Sequence, residues 1–139
     1  MTPAEARERF AAARVARLAT ADLTGRPHLV PIVFAVEGDR VVNAVDAKPK
    51  RTTALRRLAN VRQNAQVALL ADHYDDQDWD VLWWVRAEGR ARVAEPGDPD
   101  AERAVALLAV RYPQYRDTPP AGPVLIVDVE RWAGWSATG

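Results

Sequence analysis

The chain contains no cysteine, two histidines and one methionine in 139 residues, and Ser136 is its only serine. The absence of cysteine excludes disulfide frameworks, thiol nucleophiles and cysteine-ligated zinc or iron–sulfur sites. A single serine close to the last residue leaves nothing from which to assemble a serine–histidine–acid triad. His28 and His73 stand far apart in sequence, so no metal site is expected. No apolar run approaches the roughly 18 residues of a membrane span, and the first residues lack a signal-peptide core; a cytoplasmic protein without a membrane partner is expected. Excess charge is missing too. Nineteen Lys and Arg balance nineteen Asp and Glu, which argues against a general nucleic-acid binder, whose affinity comes mainly from neutralising phosphates.

What is present is an ordinary globular composition, 48% hydrophobic and 27% charged, over a length that suits a single domain spanning residues 1–139. Its charge is unevenly placed. Lysine occurs only at Lys48 and Lys50, on either side of Pro49, and with Arg51, Arg56, Arg57 and Arg62 these make six cations between Lys48 and Gln66 without an intervening acid. Ala54, Leu58 and Val61 recur at helical spacing with Leu55 beside them, and Thr52 or Thr53 is the expected N-cap. The cations therefore cluster at and before a helix N-terminus, where the macrodipole favours negative charge. An incoming phosphate resolves that conflict, because ammonium, guanidinium, hydroxyl and backbone N–H groups all donate to it. The alternative is a solvated basic loop or a patch for an acidic partner.

Along the chain, Thr2-Pro3-Ala4-Glu5 has the form of a capping box, predicting a helix over 3–13 on the outside of a sheet. Strands are predicted over 15–20, 28–36 and 40–45, with Pro31 placing the second at an edge or bulge because proline donates no ladder hydrogen bond. After the basic helix, 67–71 reads as a buried strand. Five aspartates between Asp72 and Asp80 suggest a calcium loop, but Val81 stands where its glycine would be needed, so a solvated hairpin tip is expected. The run 81–88 with Gly89 as a bulge and 90–93 beyond forms the next strand. It carries Trp83 and Trp84 on opposite faces, one for the barrel interior and one for a second subunit or a flat ligand, unless one merely covers the barrel end. Asp98-Pro99-Asp100 opens another helix that Pro113 ends, 118–123 is a surface connection, and 124–129 is the last strand. The aromatic tail with Trp132 and Trp135 should be docked, with a dimer interface as one place for it.

The segments Arg26-Pro27-His28-Leu29-Val30-Pro31-Ile32-Val33-Phe34, Asp46-Ala47-Lys48-Pro49-Lys50, Asn60 with Val67 to Tyr74, and Leu82 to Arg86 with Gly89-Arg90-Ala91 resemble, in order and spacing, the split β-barrel oxidoreductases related to pyridoxamine-phosphate oxidase. They are most similar to the branch of F420-dependent enzymes. The resemblance implies a mainly β fold with flanking helices, an antiparallel Greek-key split barrel. It further implies a homodimer with two cofactor sites in the clefts between subunits. The cofactor phosphate would be held by Lys48, Lys50, Arg51 and Thr52 around Pro49, with Arg56 or Arg57 reaching it, and the ring would lie against the backbone of Pro31, Ile32 and Val33.

The implied cofactor is coenzyme F420, with flavin mononucleotide as the alternative, and the implied reaction is hydride transfer to an electron-poor small organic substrate. His28, His73 and Tyr74 are candidate proton donors, in competition with bulk water. Two further readings compete. A non-catalytic cofactor or tetrapyrrole carrier would bind without turnover, and a structural module would use Trp83, Trp84, Trp132 and Trp135 as its contact surface.

Overall fold

A computed structural model describes residues 1–45 and 52–139, with 52–55 described in their backbone only. Thr2 caps α1 (Pro3–Ala12): its hydroxyl accepts from the Glu5 N–H at 3.2 Å and proline takes the first helical turn. The strands are β1 (Ala16–Ala21), β2 (Pro27–Ile32), β3 (Ala35–Glu37), β4 (Arg40–Ala44), β5 (Gln66–His73), β6 (Trp83–Ala94) and β7 (Val124–Ser136). The remaining helices are α2 (Thr52–Gln63), α3 (Pro99–Arg111) and α4 (Pro113–Asp117), with a 3₁₀ turn at Trp79–Val81.

All strand pairs are antiparallel, in one sheet of order β2-β1-β5-β6-β7-β4-β3. Its two edge strands, β2 and β3, are neighbours in sequence, separated only by Val33 and Phe34. A sheet whose opposite edges are tied by two residues must curl on itself, and this produces the open, split barrel. The expected single strand over 28–36 is thus two strands. The break at Val33 and Phe34 is where the chain leaves one edge and crosses to the other. Pro31 sits opposite Arg17 on the edge strand, where a missing N–H costs no ladder bond.

One core fills the barrel under α1 and α2, built on Phe10, Leu18, Phe34, Leu69, Val85 and Leu125. A second lies under α3, from Val42, Ala104, Leu108, Val124 and Ile126. Because β7 serves both, Val124, Leu125, Ile126 and Val127 are all fully buried, which accounts for their unbroken apolar run. Asp98 caps α3 by accepting from the Asp100 N–H at 2.9 Å. Pro113 stops α3 as expected, and α4 begins on that proline, a short helix to which the sequence reading assigns no element.

β7 runs to Ser136 instead of ending at Val129, pairing Trp135 with Trp84 and Ser136 with Trp83. The aromatic tail is therefore docked as a strand of its own sheet, and Trp132 is buried there, donating to the Asp39 carboxylate at 3.0 Å. The bulge lies at the Glu88–Gly89 step, with Glu130 on β7 as the unmatched residue. Asp75 and Asp78 accept from the Gln77 and Asp80 N–H groups and shape the exposed β5–β6 connection, a solvated tip.

Candidate functional site

The site is organised by the β2 edge and by what fastens its end. Ile32 points into the core, Pro31 faces out, and Val33 is 37% exposed, so this stretch offers backbone and small apolar surface to a ligand. From the far side, the Tyr112 hydroxyl accepts from the Phe34 N–H at 3.2 Å and lies 2.9 Å from the Phe34 carbonyl and 3.1 Å from that of Arg14. Arg111 donates to the Phe34 carbonyl at 3.0 Å and to that of Ala13, with its guanidinium over the Phe34 ring. Two adjacent side chains thus pin the strand-to-strand crossing to the start of β1. Burial holds the Arg111 guanidinium below its usual pKa. Tyr112→Phe strands the Phe34 N–H without its acceptor and is expected to cost about 1–3 kcal/mol, read as a lower urea midpoint.

Helix α2 lies across the barrel with Leu58 and Val61 buried in the core, as its periodicity requires. Between them Asn60, 5% exposed, donates to the Thr20 hydroxyl on β1 at 3.1 Å. This buried polar pair fixes the helix in register over β1. Arg62 leaves the helix to pair with Glu95 at 3.0 Å. Arg56 is exposed and Arg57 half-buried, and neither pairs with an acid among the described residues. The buried Arg57 Nε has no hydrogen-bond partner among them, and desolvation pushes its pKa down.

His28 opens β2 beneath this helix. Its Nδ1 is buried without a hydrogen-bond partner among the described residues. Desolvation, with the positive charges of Arg56 and Arg57, lowers its pKa from 6.5, so the imidazole is neutral at pH 7. A pocket of about 240 Å³ is lined here by Asp22, Arg26, Pro27, His28, Arg56 and Asn60. A larger cleft of about 950 Å³ opens on the opposite side, where α1 meets the start of β6. His73 stacks on Trp83 at 6.3 Å there, and Arg9 covers the ring at 5.2 Å. Among the described residues no three His, Cys, Asp or Glu side chains gather where they could hold a metal ion.

The expected phosphate ligands Lys48, Pro49, Lys50 and Arg51 lie outside the described residues, and Thr52 is seen only as the first residue of α2. Arg56 and Arg57 come close enough to His28 to depress its titration. Pro31 and Ile32 lie at the other end of the same strand, with Val33 just beyond it. His73 and Tyr74 do not join His28: the pairing of Thr20 with His28, and of Arg17 with Leu70, sets them at opposite ends of the sheet. Trp83 packs against the core and covers one barrel end, whereas Trp84 faces outward beside Trp135, which is 48% exposed. The sequence reading missed Arg26 as a pocket residue and Arg111 and Tyr112 as a staple. The only local signal was an arginine in a turn and an aromatic residue before a proline.

The chain is similar in structure to the conserved hypothetical protein Rv2991 of Mycobacterium tuberculosis, at 23% identity and a TM-score of 0.76, covering 99% of this chain and 86% of that one. A FAD-binding protein of Mesorhizobium loti aligns at 17% identity and a TM-score of 0.73, covering 96% and 94%. The heme storage protein HutZ of Vibrio cholerae aligns at 16% and 0.71, covering 98% and 95%. No curated protein matches the sequence. The family model of pyridoxamine 5'-phosphate oxidase matches residues 2–136; with the split barrel it describes now in view, the chain belongs to the pyridoxamine 5'-phosphate oxidase family.

Proposed function

We propose that this chain is an oxidoreductase that binds coenzyme F420 along the β2 edge and reduces an electron-poor small organic molecule. The observation that carries the reading is that edge strand β2 exposes Pro31 and Val33 at its far end and has the cationic Arg56 and Arg57 of α2 beside His28 at its start. The FAD-binding relative makes a flavin-type ring a fitting occupant of such an edge. The buried nitrogens of His28 and Arg57, which have no hydrogen-bond partner among the described residues, suit a ligand that is anionic as well as flat.

When bound, the reduced deazaflavin supplies a hydride from its ring carbon. The backbone of Pro31, Ile32 and Val33 orients the ring, and the staple through Tyr112 keeps that backbone from moving. Lys48, Lys50, Arg51 and Thr52 hold the phosphate, with Arg56 and Arg57 adding positive potential. His28, neutral at pH 7, is a weak acid there; His73, Tyr74 and water are the other candidate donors.

A homodimer completes the site. Leu29, Leu70, Trp84 and Trp135 lie on the outward face of the sheet, with Leu29 67%, Leu70 38% and Trp135 48% exposed, an apolar surface suited to a second copy. Leu70→Asp is expected to shift the protein from dimer to monomer in sedimentation velocity without loss of its circular dichroism.

The test of the cofactor is equilibrium titration of oxidised F420, flavin mononucleotide and haem into the wild type and a Lys48→Ala/Lys50→Ala variant. Micromolar or tighter F420 binding, preferred over the flavin and loosened about tenfold or more in the variant, is the expected result. Preference for the flavin moves the assignment to flavin mononucleotide. Haem alone binding identifies a carrier, and binding of none leaves a structural module.

A further inference from the structure

The pocket between the β1–β2 turn and α2 has a composition that phosphate binding by Lys48, Lys50, Arg51 and Thr52 does not use. Arg56 and Asn60 are one helical turn apart on α2 and His28 faces them from β2, while Arg26 closes the side from the turn. Among the described residues neither Arg26 nor Arg56 is paired with an acid. Among the described residues Asp22 is the one acid in the lining, and its Oδ1 is committed to the turn. It accepts from the Thr24 N–H at 2.9 Å, the Thr24 hydroxyl at 2.7 Å and the Arg26 N–H at 3.0 Å. The Asn60 amide is committed likewise, to Thr20. What remains open to a ligand is two guanidinium groups and an imidazole whose buried Nδ1 has no partner among the described residues.

We infer that this pocket is an anion subsite in which Arg26, His28 and Arg56 hold a carboxylate or phosphate group of the bound small molecule. Its volume of about 240 Å³ accommodates one such group with water. His28 is three residues from Pro31 on the same strand, about 10 Å at strand rise. A ring lying at Pro31 to Val33 would therefore extend a second anionic group toward the pocket. Resting on the proposed cofactor reading, this assigns the subsite to the charge beyond the first phosphate: the carboxylates of the F420 tail or the second phosphate of FAD. An anion there favours the imidazolium. Among the described residues Arg26, Arg56, Arg57 and Asp22 are the charged groups around it, and the net positive field they make is what the anion relieves. Binding therefore tightens as pH falls through the range in which His28 takes up its proton.

The subsite is tested first without any cofactor. Titration of inorganic phosphate and of glutarate, followed by the His28 imidazole resonances in ¹⁵N-edited NMR, is expected to give saturable shifts and a raised His28 midpoint. Arg26→Ala/Arg56→Ala should weaken these at least tenfold, whereas Lys48→Ala/Lys50→Ala should leave them within about threefold. Resonances that do not move, or that move equally in Arg26→Ala/Arg56→Ala, overturn the subsite. Titrations of flavin mononucleotide, FAD and F420 then identify the source. Arg26→Ala should loosen FAD or F420 at least fivefold more than flavin mononucleotide; an equal loss for all three overturns the assignment to the tail. Failure of all three to bind would sink the cofactor reading alone, because the phosphate and glutarate titrations still decide the pocket.

Discussion

Phe10→Ala is expected to destabilise the fold by about 3–5 kcal/mol, lowering the melting temperature by roughly 3–5 °C per kcal/mol for a chain of this size. Phe10 is fully buried and sits where three elements meet. Its ring lies 4.7 Å from that of Phe34 on the edge-to-edge crossing and 5.5 Å, edge-on, from Trp132 on β7. Truncation removes about 150–250 Å² of aromatic burial and two ring contacts together. The surrounding strands cannot collapse into the gap, because Phe34 is held by the Tyr112 and Arg111 hydrogen bonds and Trp132 by Asp39. Phe10→Leu, which keeps most of the volume, should cost about 1–2 kcal/mol. Thermal unfolding with tryptophan emission as the second probe measures both. Equal stability of Phe10→Ala and wild type would mean that α1 does not seal the barrel.

Gly89→Ala carries the next largest effect, about 2–4 kcal/mol. A Cβ on Gly89 would lie 2.1 Å from the Asp128 carbonyl oxygen and 2.9 Å from the Val129 Cα. These are backbone atoms of β7 and have no rotamer into which to retreat, so the bulge must open and ladder bonds on both sides lengthen. The loss should be visible as faster amide exchange at 88–90 and 128–131, with the β1–β2 pair unchanged. Wild-type exchange there would mean the register can slip to absorb a methyl group. The site itself should suffer less, since β6 and β7 lie on the far side of β5 from the β2 edge.

Both predictions concern places where local pattern and tertiary structure meet differently. Gly89 was readable as a bulge because a glycine interrupting an apolar strand has few other uses. Phe10 was readable only as the apolar residue of a thin helical face, and its partners Phe34 and Trp132 lie 24 and 122 positions further along the chain. The same division runs through the site. The helical spacing of Leu58 and Val61 placed α2 correctly, and the cations on it were evident. The pocket that uses them was hidden, because Arg26 reaches it from a turn whose direction depends on the Asp22 hydrogen bonds and on sheet order.

By itself the sequence determined the elements and their caps: Thr2 before α1, Asp98 before α3, Pro31 at an edge or bulge, and the apolar run that makes 124–129 a strand. These rest on interactions among residues a few positions apart, through backbone hydrogen bonding and side-chain period. Only the tertiary structure decided that β2 and β3 become the two edges of one curled sheet, tied at Val33 and Phe34. It also decided that Trp132 turns inward to Asp39 and that Arg111 and Tyr112 fasten the crossing from the end of α3. These contacts join residues 77 to 98 positions apart. Their partners are selected by which surfaces remain to be buried once the strands have paired, a competition that no local pattern records.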